Sequence, residues 1–168
     1  MLMETRPLGW TSLQVTPVAM GCWPIAGMTS LDVNATDSRR TIRAARECGI
    51  NFFDTAFCYG REGESERLLA EVLVSDRQQC VIATKAGIHW DAHGQRVLDA
   101  SPARIRSECE LSRTRLQTDC LDLLYLHAPD PRTPLERTAE TFAALVKAGH
   151  AQAIGVSNVT LEQLQQFQ

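Results

Sequence analysis

The chain has 168 residues, 44% of them hydrophobic, and a formal net charge of −3, which is enough apolar material to bury one domain core. Lysines and arginines stand singly or in pairs, so neither a nucleic-acid face nor a basic membrane patch is expected. No apolar run approaches the roughly 18 residues of a spanning helix, and Met1–Arg6 lacks the charged-then-apolar order of a leader, so a cytoplasmic protein is expected.

The first pattern is a β-hairpin, Arg6–Leu8 against Leu13–Thr16, turning at Gly9-Trp10. A short apolar run, Val18–Gly21, follows. Thr36 or Asp37 is positioned to cap a helix that Gly49 ends. Ile50–Asp54 is the next strand-like run, and Glu64–Val74 repeats Leu68, Leu69, Val72 and Leu73 at helical spacing. After the run Val81–Lys85, Ser101 is a cap ahead of Pro102, with Ile105, Cys109, Ser112 and Leu116 on one face. Leu121–His127 is strand-like, and Thr133-Pro-Leu-Glu136 reads as a capping box whose helix Gly149 closes. Ala153–Val156 is the last strand-like run, and Thr160-Leu-Glu-Gln163 opens a final helix.

Short apolar runs bounded by polar or Gly residues read as strands buried on both faces. Alternation with helices implies βαβ crossovers and a parallel sheet, and no linker divides residues 1–168. The expected fold is therefore α/β, a TIM-type (β/α)8 barrel that is incomplete here. About five strands and four to five helices fall short of eight of each and of the roughly 250 residues a closed barrel takes. The last pattern, Leu161, Leu164 and Phe167, still presents an apolar face at Gln168. A truncated or fragmentary chain is one reading of this, and self-association through open barrel edges is the other.

Four of the strand-like runs end in or next to a reactive residue. Because all strand ends of a parallel barrel open on one face, Asp54, Tyr59, Lys85, His127, Ser157 and Asn158 are expected to converge there. A phenol is a poor acid at neutral pH, but a nearby cation lowers its pKa, and Lys85 is placed to supply one. Asp54 is placed to keep that lysine charged. His127 suits donation to a carbonyl oxygen, and Ser157 and Asn158 suit a carboxamide. The set fits carbonyl reduction with hydride from a cofactor, since no side chain supplies one. His89 and His93 have an H-x-x-x-H spacing, but Gly87 and Gly94 bracket them in what reads as a loop, and with no third ligand no metal site is expected. The six cysteines form no C-x-x-C pair, and Cys58, beside Tyr59, is the one expected to be sensitive to oxidation.

Five segments, Gly49-Ile-Asn-Phe-Phe-Asp-Thr-Ala-Phe-Cys-Tyr-Gly60, Gly63-Glu-Ser-Glu66, Ile82-Ala-Thr-Lys-Ala-Gly87, Thr118–His127 and Ile154-Gly-Val-Ser-Asn158, resemble the aldo-keto reductases in order and spacing. The resemblance implies a barrel that binds NADPH, with NADH as the alternative, without the G-x-G-x-x-G motif absent here. It implies a small-molecule carbonyl substrate, Tyr59 as general acid, Lys85 and Asp54 as its tuning pair, and His127 as the residue that orients the carbonyl. By the same resemblance Gly21, Cys22, Trp23, Asp54, Ser157 and Asn158 border the cofactor, and Trp23 and Trp90 line the substrate pocket with Tyr59 and His127. In the family, later strands carry the residues that hold the pyrophosphate. A catalytically inactive fragment, or a nucleotide-sensing or scaffold relative, is the alternative function.

Overall fold

A computed structural model describes residues 3–28 and 32–168; Met1 and Leu2 of the amino-terminal stretch considered above lie outside them. The amino-terminal hairpin pairs β1 (Arg6–Pro7) antiparallel to β2 (Gln14–Val15), with Gly9 at φ +56° in the turn and Trp10 fully exposed. Five parallel strands follow, namely β3 (Met20–Gly21), β4 (Phe52–Asp54), β5 (Val81–Ala86), β8 (Leu121–Leu126) and β9 (Ala151–Val156), adjacent in that order. They form an incomplete α/β barrel, an arc of five strands. Between β5 and β8 lies an antiparallel hairpin of β6 (Ile88–Trp90) and β7 (Arg96–Leu98).

The helices are α1 (Ala35–Glu47), α2 (Glu64–Val72), α3 (Pro102–Leu116), α4 (Leu135–Lys147) and α5 (Leu161–Phe167). None is long and apolar enough to cross a membrane. On α3 the predicted face is buried at all four positions, Ile105, Cys109, Ser112 and Leu116, and Ser101 accepts the Arg104 N–H as expected. The segment Thr160–Gln163 opens α5 as expected, and the structure shows a reciprocal capping box there, with Thr160 Oγ1 accepting the Gln163 N–H at 3.2 Å and Gln163 Oε1 accepting the Thr160 N–H at 2.9 Å.

Three local expectations are corrected. The cap of α1 is Asn34, not Thr36 or Asp37: its Oδ1 accepts the Asp37 N–H at 2.9 Å while its Nδ2 donates to Asp37 Oδ2 at 2.8 Å. The expected box at Thr133 does not form: Pro134 is the cap of α4, no side chain accepts from its first turn, and the Thr133 N–H that Glu136 would accept is held by the Asp130 carbonyl. The stretch around Trp90 is a hairpin and not a loop, with Gly94 at φ +73° making its turn.

The side chains divide into two cores. Phe53, Ile82, Leu124 and Leu126 face the helices with Ile42, Leu69, Ile105 and Phe142. Val81, Ala83, Leu123 and Ala153 line the concave face, where Leu13 and Val15 of the amino-terminal hairpin cover them. Asn51, just ahead of β4, ties that hairpin down through bonds to the Thr16 N–H (2.7 Å) and the Gln14 carbonyl (2.8 Å). The hairpin thus closes the amino-terminal end of the arc, leaving the carboxyl ends open.

Candidate active site

Register places the reactive residues. Gly21 pairs with Asp54, Asp54 with Ala83, and Lys85 with Tyr125, so Asp54 and Lys85 both point to the concave side near the carboxyl ends of adjacent strands. Lys85 Nζ lies 2.5 Å from Asp54 Oδ1, 2.8 Å from the Thr55 carbonyl and 3.3 Å from Tyr59 Oη. Tyr59 stands edge-on to Trp23, ring centres 4.9 Å apart, and to His127 at 6.0 Å. Trp90 reaches the same group by donating its Nε1–H to the Cys58 carbonyl at 2.9 Å.

Burial sets the protonation states. The Tyr59 phenol is held above its ordinary value, because desolvation outweighs the lowering effect of Lys85. The expected influence of Lys85 is present, but the expected net lowering is not. His127 is pushed down to about 4 by burial, aided by the charges of Lys85 and Arg96, and is therefore neutral at pH 7. Its Nδ1 lies 3.7 Å from Cys58 Sγ.

Ser157 and Asn158 follow β9 and are linked to the group through one bond. Asn158, at φ +56°, donates from Nδ2 to the His127 carbonyl (2.8 Å) and to Ser157 Oγ (3.1 Å). Cys22 is different from its neighbours Gly21 and Trp23. It is fully buried in the helix-facing core, its N–H donates to the Asp54 carbonyl and its own carbonyl accepts from Ser65 Oγ. It therefore supports the loop and offers no side chain to a ligand. Cys58 is likewise fully buried with its thiol pushed up to about 11, so the expected oxidation sensitivity is corrected: the thiolate that reacts with oxidants is scarce there.

The loop that carries Tyr59 is held by residues the sequence did not single out. Arg115 Nη1, from the end of α3, donates to the Phe57 carbonyl and to Glu66 Oε2, both at 3.2 Å, and its guanidinium lies 4.3 Å over the Phe57 ring. Glu66 is wholly buried and also accepts from Thr84 Oγ1 at 2.6 Å. Ser65 Oγ meets Thr55 Oγ1 at 2.7 Å. The other members of this network, among them Thr55, Phe57, Thr84 and Glu66, lie in the segments that carry the resemblance, but Arg115 lies outside all of them.

The two histidines of the H-x-x-x-H spacing do not share a face. His89 is on β6 with Nδ1 3.4 Å from Glu108 Oε1, and His93 is exposed in the turn. Among the described residues no cluster of three His, Cys, Asp or Glu is arranged to hold a metal ion.

The profile of the Aldo/keto reductase family matches residues 17–168. Aldo-keto reductase YhdN of Bacillus subtilis (strain 168) is 39% identical over 98% of the chain and 50% of its own length. The 6-dehydroglucose reductase of Novosphingobium aromaticivorans is 34% identical over 95% of the chain and 53% of its own. The structure of the glycerol dehydrogenase AKR11B4 from Gluconobacter oxydans superposes with a TM-score of 0.87 at 35% identity, over 98% of this chain and 51% of that one. The chain spans about half the length of the curated relatives it matches. With an arc of parallel strands, a lysine–carboxylate–tyrosine group at its open end and a family match over nearly all its residues, the chain belongs to the aldo/keto reductase family.

Proposed function

We propose that the protein reduces an aldehyde or ketone with a nicotinamide cofactor, NADPH or NADH, and that Tyr59 is its general acid. The observation that carries this reading is the contact of Lys85 Nζ with both Asp54 Oδ1 and Tyr59 Oη. Its raised pKa keeps the phenol protonated at neutral pH, ready to donate to a carbonyl oxygen. The phenolate left behind forms beside the cation of Lys85, 3.3 Å away, which stabilises it where the charge develops. Neutral His127 has one ring N–H to donate to the same oxygen, orienting it.

The residues fit a nicotinamide ring. Asn158 spends its Nδ2 on His127 and Ser157, which leaves Oδ1 as an acceptor for a carboxamide N–H, and Trp23 and Tyr59 wall the neighbouring space. When bound, the cofactor supplies the hydride that no side chain holds. Relatives named as reductases and a dehydrogenase support a small carbonyl compound and its alcohol as the reactant pair.

Tyr59→Phe tests the assignment. Turnover is expected to fall by about 10²–10⁴-fold, while the change in NADPH fluorescence on titration persists. Substantial residual turnover removes Tyr59 from the acid role. Cofactor binding by the unaltered chain with no turnover of any carbonyl compound favours the sensing or scaffold reading instead.

A further inference from the structure

Beside the acid–base group stands a second cluster whose charge the proposed reaction leaves unused. The β6–β7 hairpin sets Trp90 directly opposite Arg96. The Arg96 guanidinium lies 5.3 Å from the centre of the Trp23 ring and 6.0 Å from that of Trp90. Arg61, two residues after Tyr59, lies 5.7 Å over the Trp90 ring. The hairpin turn rests on it: a Cβ at Gly94 would fall 2.9 Å from Arg61 Nη2. Trp23 in turn meets Tyr59 at 4.9 Å, so a single indole separates Arg96 from the phenol. The positive charge of Arg96 also reaches His127 and Cys58.

Both arginines are exposed, and among the described residues neither makes an ion pair. Stacking on an indole holds a guanidinium in place while leaving its N–H fork free for a carboxylate or phosphate. Two uncompensated guanidiniums held over indoles, Arg96 one ring away from the carbonyl-facing phenol and Arg61 over the neighbouring Trp90, make a receptor for the far end of a short substrate. We propose that Arg96, assisted by Arg61, selects carbonyl compounds that carry an anionic group, a carboxylate or a phosphate, a few atoms from the reacting carbon. The indoles of Trp23 and Trp90 form the wall along which the intervening carbons lie. This inference rests on the assignment of Tyr59 and His127 as the pair facing the carbonyl.

The test compares each anionic compound with an uncharged partner: succinic semialdehyde against butanal for the carboxylate, and glycolaldehyde phosphate against glycolaldehyde for the phosphate. Binding is followed by tryptophan fluorescence in a Trp10→Phe background, which confines the signal to Trp23 and Trp90. At least one anionic compound is expected to saturate at a concentration about tenfold below its uncharged partner, and Arg96→Met to erase that preference. With NADPH present, the anionic-to-uncharged ratio of kcat/KM is expected to fall about tenfold in Arg96→Met, through KM and not kcat. Arg96→Lys, which keeps the charge without the fork, is expected to retain part of the preference. Equal binding of charged and uncharged partners by the parent chain, or a preference that survives in the Arg61→Met, Arg96→Met double variant, overturns the proposal. Failure to turn over any carbonyl compound would count against the proposed reaction, whereas the fluorescence comparison decides the role of Arg96 in either case.

Discussion

Lys85 Nζ is shared between Asp54 Oδ1 at 2.5 Å and Tyr59 Oη at 3.3 Å, so one cation is in contact with both a carboxylate and a phenol. Lys85 lowers the phenol against the larger raising effect of burial. Removing it in Lys85→Met leaves burial unopposed, so the high-pH limb of the reduction profile is expected to move to still higher pH. The rate at neutral pH should drop by about 10²-fold or more, as the phenolate loses its nearest cation. A pH profile of kcat/KM checks both, and an unmoved limb would detach Lys85 from Tyr59.

A half-buried imidazole and a buried carboxyl give opposite pH signatures in stability. His127 has a folded value of about 4 against 6.5 for an unconstrained imidazole. Its contribution is full above 6.5 and is lost as pH falls toward 4, because the unfolded chain binds the proton more readily. Glu108, wholly buried and raised from 4.5 to about 8 by desolvation, is protonated in the fold. Its contribution is full below 4.5 and is lost as pH rises through 8. Urea midpoints between pH 5 and 9 should therefore show Glu108→Gln gaining on the parent chain at the alkaline end, by on the order of 3 kcal/mol. The Gln amide oxygen can still accept the Gly87 N–H that Glu108 Oε2 now accepts at 2.7 Å.

Arg115 is the tie between α3 and the loop of Tyr59. Arg115→Met leaves Glu66 as an unpaired buried carboxylate, a loss of about 3 kcal/mol in urea unfolding. Gly63→Ala is expected to weaken the same place for a different reason: the residue has φ +78° and its new Cβ would lie 2.4 Å from the Arg115 guanidinium carbon. A Gly63→Ala variant as stable as the parent would refute this account of the loop.

Thiol chemistry should single out one residue. Cys48 is exposed beyond α1, whereas Cys22, Cys58 and Cys109 are buried with thiols pushed up to about 12, 11 and 11. Native chain treated with a thiol reagent at neutral pH should be labelled first at Cys48, and Cys58 should react only on unfolding. Peptide mapping of the labelled protein would show the order.

What the sequence disclosed was what is local or periodic. The five apolar runs and the buried face of α3 are patterns within one element, and the side chains of Thr160 and Gln163 bond to each other's backbone within one turn. Convergence of Asp54, Tyr59, Lys85 and His127 followed from the rule that parallel strands share an end, which needs no distances. The β6–β7 hairpin stayed hidden because its strands are three residues long and carry His, Trp and Arg, so no alternation marks them. Arg96 and Arg115 were invisible for another reason: a lone arginine has no signature until the fold sets an indole or a buried glutamate beside it.

The amino-terminal hairpin has one more consequence. Gln152, in β9, donates to Ser12 Oγ at 2.9 Å, while Asn51, near the other edge of the arc, holds Thr16 and Gln14. The hairpin therefore spans the sheet like a clasp, with its last partner 140 residues away in sequence. A contact of that separation carries a large loop-closure cost and is completed only once the strands between are in register. The hairpin is thus seated after the strands it spans, and it locks the curvature that brings Tyr59 edge-on to His127.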